Sequence, residues 1–195
     1  LHLFLMRLLI LLSCLILVGC SSQRILEKNE KLLSNVKIEC NDKHISKHAI
    51  QSIILQKSNS KWLGISKVPL GIYCLADKND SNAISKFVRK IGEPPVIYND
   101  LLTRKSVNSI SQYLNSKGFR HGQVTYDTIC KNNKVKLTYK IDCGPRSYVR
   151  NITTNILNDS IAKIIQKEKG KSVLYGGMPF EVNKLYDERN RIVNL

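Results

Sequence analysis

The chain has 195 residues, enough for one or two small domains, and 43% of them are hydrophobic, which supports a packed core and excludes general disorder. Lysine and arginine number 31 against 15 acidic residues, and the net charge of +16 attracts anions of every class: nucleic acid, anionic lipid headgroups or acidic partners. No Gly-x-Ser-x-Gly elbow, Walker pattern or dinucleotide-binding glycine pattern occurs, so nothing in the sequence marks an enzyme or a cofactor site.

At the N-terminus, Met6-Arg7 reads as the true start, and Arg7 supplies the positive end of a leader. Leu8 to Val18 is apolar but shorter than the about 20 residues a membrane span needs, so it suits a signal-peptide core. The run ends in Leu17-Val18-Gly19-Cys20, which resembles a bacterial lipobox. That resemblance implies cleavage before Cys20 and acylation of Cys20 (palmitate or a similar chain), hence a lipoprotein. Acyl chains contribute about 0.8 kcal/mol per buried methylene, so several of them anchor a protein durably. Ser21-Ser22-Gln23 lacks the Asp of an inner-membrane retention signal, so similarity to lipoprotein sorting signals implies the periplasmic face of the outer membrane. Nucleic acid is absent from that compartment and drops out as a partner.

Four cysteines remain beyond the leader and its anchor: Cys40, Cys74, Cys130 and Cys143. An oxidising compartment would allow three pairings among them, and unpaired thiols are equally open. His44 and His48 share helical spacing, but the Glu of a zinc-protease helix is missing between them and the helix is expected to begin only at Ser46, so two surface histidines are the better reading and no metal site is assigned.

After a polar tether at 20–34, Asn35 to Cys40 alternates as a strand. Ser46 caps a helix reaching about Gln56, with Ala49, Ile50, Ile53 and Ile54 on its buried face. The stretch near 57–91 is harder to read. Trp62, Leu63, Ile65, Val68, Leu70, Ile72 and Tyr73 are interrupted by Gly64, Pro69 and Gly71, a poor helix composition best explained as loop or core packing. Asp80 to Ile91 reads as a basic helix with Ile84, Phe87, Val88 and Ile91 inward, and Gly92-Glu93-Pro94-Pro95 as a stiff turn.

The clearest signal lies between Leu101 and Asp142. Asp100 stands where an N-cap belongs, and Leu102, Val107, Ile110, Tyr113 and Leu114 recur at helical spacing up to Lys117-Gly118. Two alternating strands follow, Val124 to Cys130 and Val135 to Ile141, joined by Lys131-Asn132-Asn133. Beyond Cys143-Gly144-Pro145 the pattern restarts. Tyr148 to Thr153 reads as a strand, Asp159 caps a helix through Glu168, and Leu185, Ile192 and Leu195 begin another helix. Ile161-Ala162-Lys163-Ile164-Ile165 echoes Ile50-Gln51-Ser52-Ile53-Ile54, and Gly177-Met178-Pro179-Phe180 echoes Gly92-Glu93-Pro94-Pro95. The first copy carries an insertion between its helices, and the Trp62 segment is the candidate for it.

The order strand, helix, helix, hairpin resembles the POTRA module of outer-membrane assembly proteins, the BamA and TamA family. Gly92-Glu93-Pro94-Pro95-Val96-Ile97-Tyr98, the helix ending Tyr113-Leu114-Asn115-Ser116-Lys117-Gly118-Phe119, and the lipobox Cys20 together resemble the lipid-anchored TamA-like branch, often called TamL. The resemblance implies an α+β fold in which a three-stranded sheet is covered by two helices. It implies a signal peptide at 1–19, a lipid-attached tether at 20–34, one complete module at 35–143 with an insertion near 57–91, and a second module at 144–195 truncated before its hairpin. Family members continue into further repeats and a membrane barrel, so the chain is expected to be the N-terminal fragment of a split or truncated gene. Such modules are not enzymes and use no cofactor. The implied function is a periplasmic binding module for outer-membrane protein clients and a TamB-like partner, acting by β-augmentation. The strand Val135 to Ile141 is expected at the centre of the sheet. Val124, Thr125, Tyr126, Asp127 and Thr128 are expected on an exposed edge that receives the partner strand. The rival reading is a standalone outer-membrane lipoprotein that binds a ligand or a cell-envelope component, which the repeat argues against.

Overall fold

The computed structural model describes residues 25–62, 64, 66–76 and 82–195. The leader, Cys20, Leu63, Ile65 and the Asp80 start expected for the basic helix lie outside the described residues. The elements are β1 (Leu32–Cys40), α1 (Lys47–Ile53), α2 (Val68–Tyr73), α3 (Ala83–Ile91), α4 (Asp100–Ser116), β2 (Gln123–Lys131), β3 (Lys134–Asp142), α5 (Asp159–Lys167) and α6 (Val182–Val193). The fold is α+β, with a strand–helix–hairpin order and one three-stranded sheet in the order β1-β3-β2. β1 starts at Leu32, three residues before the strand expected from alternation, because Leu32 and Leu33 are themselves buried.

Two compact units interleave along the chain. One comprises the residues up to Ile38, Ile54–Lys105 and Tyr126–Tyr139; the other comprises Glu39–Ile53, Ser106–Thr125 and Lys140–Leu195.

In the first unit, Leu32, Leu33, Ile54, Leu70, Val135, Leu137 and Tyr139 are buried. The Leu32 amide donates to the Asn133 carbonyl and the Ser34 hydroxyl to the Val135 carbonyl, so β1 and β3 advance together as a parallel pair. Segment 96–98 covers the other side of β1 here. Leu33 N–H donates to Val96 O (2.8 Å), and Tyr98 N–H donates to Lys31 O (2.8 Å). Asn59 is 1% exposed and holds that segment from behind, its amide donating to Pro94 O and its carbonyl accepting from Val96 N–H. Buried Gln56 does the same one step further on, donating to Ile97 O and accepting from Asn99 N–H.

The insertion departs from expectation in three ways. Val68–Tyr73 is a short helix, made possible by Pro69 in its first turn, where the missing N–H costs no intrahelical bond. Trp62 is 60% exposed rather than packed, in a tight bridge to Ser66. α3 turns most of its apolar residues outward: Ile84, Phe87 and Ile91 are 76%, 63% and 55% exposed, whereas Val88 is half-buried and Ser85 is buried. Periodicity identified the apolar face of this helix correctly but not its direction.

In the second unit, Ile45, Ile50, Ile110, Leu114, Phe119, Ile141 and Cys143 are buried. α1 begins after Ser46, whose hydroxyl accepts from Ala49 N–H. Gly118 follows α4 at φ 89, and a Cβ there would stand 2.6 Å from Phe180 O, so both conformation and space demand glycine. Glu181 gathers Lys117 Nζ (2.8 Å) and Arg146 Nη2 (2.6 Å), and Arg146 also donates to Lys117 O while lying over the Phe119 ring. The Lys117 hydrogen bond above all holds the Glu181 carboxyl below its ordinary value.

Tyr148 to Thr153 is not a strand. It meets segment 177–180 through one antiparallel bridge, Tyr148 to Pro179, and one further bond from Gly177 N–H to Val149 O, and among the described residues this contact does not extend into a ladder. α5 is capped by Asn158, whose carbonyl accepts from Ser160 N–H and Ile161 N–H, rather than by Asp159. α4 likewise is capped by Asn99, which accepts from Leu102 N–H, rather than by Asp100. From 144 to 195 only Met178 and Glu188 are buried. Glu188 accepts two bonds from Arg191, one from Ser172 Oγ and one from Val173 N–H. Those bonds, Arg191 first, lower its carboxyl from the ordinary 4.5 to about 2 against the opposing effect of burial.

Two outcomes follow from these positions. Leu114 is fully buried, and removing a buried leucine costs about 2–5 kcal/mol, so Leu114→Ala should lower the chemical-denaturation midpoint sharply whereas exposed Gln112→Ala should leave it nearly unchanged. Equal shifts would overturn the assigned helix face. Because the folded Glu188 carboxyl lies below its unfolded value, its stabilisation is present above about pH 4.5 and disappears as pH falls toward 2. Glu188→Gln should therefore be less stable than wild type at neutral pH, and the gap should close between pH 4.5 and 2 in thermal melts. A gap that stays constant over that range would contradict the ionised pair.

Candidate strand-edge interface

The hairpin geometry defines which backbone groups an incoming strand would meet. Asn132 and Asn133 have φ 50 and φ 54, the two left-handed residues of a type I′ turn. A two-residue loop makes Lys131 and Lys134 a hydrogen-bonded pair, and hydrogen-bonded and non-hydrogen-bonded pairs alternate from there. Thr125, Asp127 and Ile129 therefore exchange bonds with β3. Val124, Tyr126 and Thr128 aim their N–H and C=O groups away from it. Of the five residues expected on the edge, three offer main chain outward, and Thr125 and Asp127 offer exposed side chains.

The two edges of the sheet differ. Segment 96–98 lies on β1 through two backbone hydrogen bonds, while among the described residues β2 is the last strand on its side. The β2 edge is also held from behind. Tyr126 is half-buried, and its hydroxyl donates to Asp100 Oδ1 (2.8 Å), which also accepts from the Tyr98 hydroxyl (3.0 Å). Arg104 Nε donates to Asp100 Oδ2 (2.7 Å). The Tyr126 bond, with those from Arg104 and Tyr98, lowers the Asp100 carboxyl, and burial with the Asp100 contact pushes the Tyr98 phenol up to about 12. Tyr126 thus anchors the middle of the edge strand to the start of α4 while its own peptide group faces outward.

Sequence reading missed this clasp because Tyr126 lies 26 residues along the chain from Asp100. The one local signal was Tyr98-Asn99-Asp100, two polar residues behind a tyrosine at a helix start. It also missed a basic cleft of about 770 Å³ at the hairpin tip, lined by Lys61, Lys131, Lys134 and Lys136 with Ser34 and Asn35. Lys134 and Lys136 alternate along β3 and share a face by strand period, Lys131 ends β2 across the turn, and Lys61 joins them from the insertion.

His44 and His48 do not share a helix, because α1 begins only at Lys47; His44 instead pairs with Asp42 (2.9 Å). Among the described residues, no cluster of His, Cys, Asp and Glu has the makings of a metal site, and no helix is long and apolar enough to cross a membrane.

No protein-family model matches the chain, and no curated protein matches it. Among solved structures, the chain is similar to the crystal structure of Haemophilus influenzae BamA POTRA3-5, with 10% identity, coverage of 87% of this chain and 88% of that one, and a TM-score of 0.32. The fold assignment accordingly rests on the element order and strand pairing described above.

Proposed function

We propose that this chain is a periplasmic binding module of an outer-membrane protein assembly or translocation factor, related to the lipid-anchored TamA-like proteins, and that it captures extended segments by β-augmentation along β2. The observation that carries the proposal is the outward main chain of Val124, Tyr126 and Thr128 on the last strand of the sheet. Main-chain hydrogen bonds supply affinity with little demand on sequence, which suits unfolded outer-membrane clients or a TamB-like periplasmic partner. The module has no catalytic role in this reading.

Cys20 is its lipid attachment point, on the strength of Leu17-Val18-Gly19-Cys20, and holds the module at the outer membrane facing the periplasm. The leader occupies 1–19, the tether runs from Cys20 to the start of β1 at Leu32 rather than to the expected 34, the first module follows to 143 with its insertion near 57–91, and the second module is 144–195. Segment 144–195 carries an open groove of about 1560 Å³, lined in part by Ile152, Ile156, Ala162, Ile165, Leu174 and Ile192, apolar residues of the kind a sheet face covers.

Thr128 is exposed and its N–H points off the sheet, so proline there removes an edge donor without removing a ladder bond. The full chain bearing Thr128→Pro should keep its circular dichroism and lose binding of a peptide copied from an outer-membrane β-strand, while Thr128→Ala should bind nearly as wild type. Equal binding by both variants would remove β2 as the site, and loss of the fold in the proline variant would refute the outward assignment of that amide. The anchor is tested separately: Cys20→Ala should abolish incorporation of a fatty-acid probe in cells, and undiminished labelling would sink the lipoprotein reading.

A further inference from the structure

Cys40 is the last residue of β1 and Cys143 lies one residue beyond β3. Their sulfurs are 3.6 Å apart. Asn41, next to Cys40 in the chain, holds both strand ends in register: its N–H donates to Ile141 O, its side-chain amide to Asp142 Oδ1 (2.7 Å), and its side-chain carbonyl accepts from Cys143 N–H (3.0 Å). Both cysteines therefore sit on backbone fixed on either side, and little movement separates the thiol contact from a bond. Cys74 and Cys130 lie on other elements, Cys74 after α2 and Cys130 on the exposed β2 edge.

We propose that Cys40 and Cys143 are a disulfide-forming pair that closes the ends of β1 and β3 covalently. The inference does not depend on the strand-edge function. The oxidant is a small or protein disulfide, RSSR. Cys40 is the more exposed of the two and attacks first: its thiolate bonds to one sulfur of RSSR and releases RS⁻, leaving a mixed disulfide on Cys40. Cys143 is buried, and burial with the neighbouring Cys40, Asp42 and Asp142 pushes its thiol up to about 12, so it is suited to be the second partner. Cys143 then attacks the Cys40 sulfur as its proton passes to the second departing RS⁻. Two thiols and one RSSR become one protein disulfide and two RSH. The linkage closes a loop running from 40 to 143, which includes four helices and the β-hairpin, and a loop of that length removes much of the unfolded chain's freedom.

The test uses the full chain, equilibrated with glutathione disulfide, alkylated at low pH and digested with trypsin. The expected product is the peptide Ile38–Lys43 joined to Ile141–Arg146, which separates on reduction. The oxidised chain should melt roughly 5–15 °C above the reduced one. Cys40→Ser, at a half-buried position, should fold, lose the linked peptide and lose that difference in melting. Recovery of Cys40 and Cys143 as alkylated thiols or as separate glutathione adducts would overturn the proposal. So would a dominant link from either one to Cys14, Cys20, Cys74 or Cys130, or oxidised and reduced chains that melt alike.

Discussion

Parallel pairing of β1 with β3 governs the rest of this molecule. Two parallel strands cannot be joined by a tight turn; the chain must leave one and return to the start of the other through a long crossover. Here that crossover carries α1 to α4 and β2. Because β2 and β3 are bound as a two-residue hairpin, and β1 occupies one side of β3, β2 must take the other. The central position of β3 explains its clean pattern, with Val135, Leu137, Tyr139 and Ile141 all buried. The same arrangement puts β2 at a border, and it brings Cys40 to Cys143, since parallel strands finish at the same end. An antiparallel β1 would have carried Cys40 to the opposite end of the sheet.

What the sequence made legible divides by the range of the interaction. The α4 helix, its glycine stop and the hairpin rest on local chemistry: helical spacing, a left-handed Gly118, and two asparagines that accept positive φ. The displaced caps share one local cause. Asn99-Asp100 and Asn158-Asp159 each offer two capping residues in succession. In both, the asparagine takes the cap, while the aspartate enters the first turn, where its charge meets the positive end of the helix dipole. Elsewhere the local pattern was real but incomplete. The apolar stripe of α3 has the spacing of a buried face, yet burial depends on what the rest of the chain brings against it, and Ile84, Phe87 and Ile91 are left outward. Tyr148 to Thr153 has strand-like alternation, but a strand exists only as part of a ladder, and one bridge to Pro179 does not make one.

The strand-edge site shows the same division within a single element. Alternation along β2 identified two faces, and the resemblance supplied the idea of an edge. Neither supplied the distinction between inward and outward peptide groups. That distinction comes from the turn: with Asn132 and Asn133 as its only loop residues, the parity of every β2 amide is determined. Side chains and main chain then separate their tasks. Tyr126 sends its hydroxyl to Asp100, behind the sheet, and its peptide group toward the open side. A residue can thus anchor the strand and present it at once.

The first unit and segment 144–195 are stabilised by different means. The first encloses large apolar side chains and uses Asn59 and Gln56, both buried and both bonded to main chain, to hold 94–99 in an extended path. Segment 144–195 of the second buries only Met178 and Glu188, so directional contacts carry more of its organisation. Glu188 ties Arg191 to the Ser172–Val173 backbone, and Glu181 ties Lys117 to Arg146. Such pairs fix geometry well but add little depth of stability, because each charge must give up water before it gains a partner. A covalent link between Cys40 and Cys143 would act where this unit most needs support, at the point where β3 ends and the sparsely buried segment begins, and it would do so without asking that segment for apolar surface.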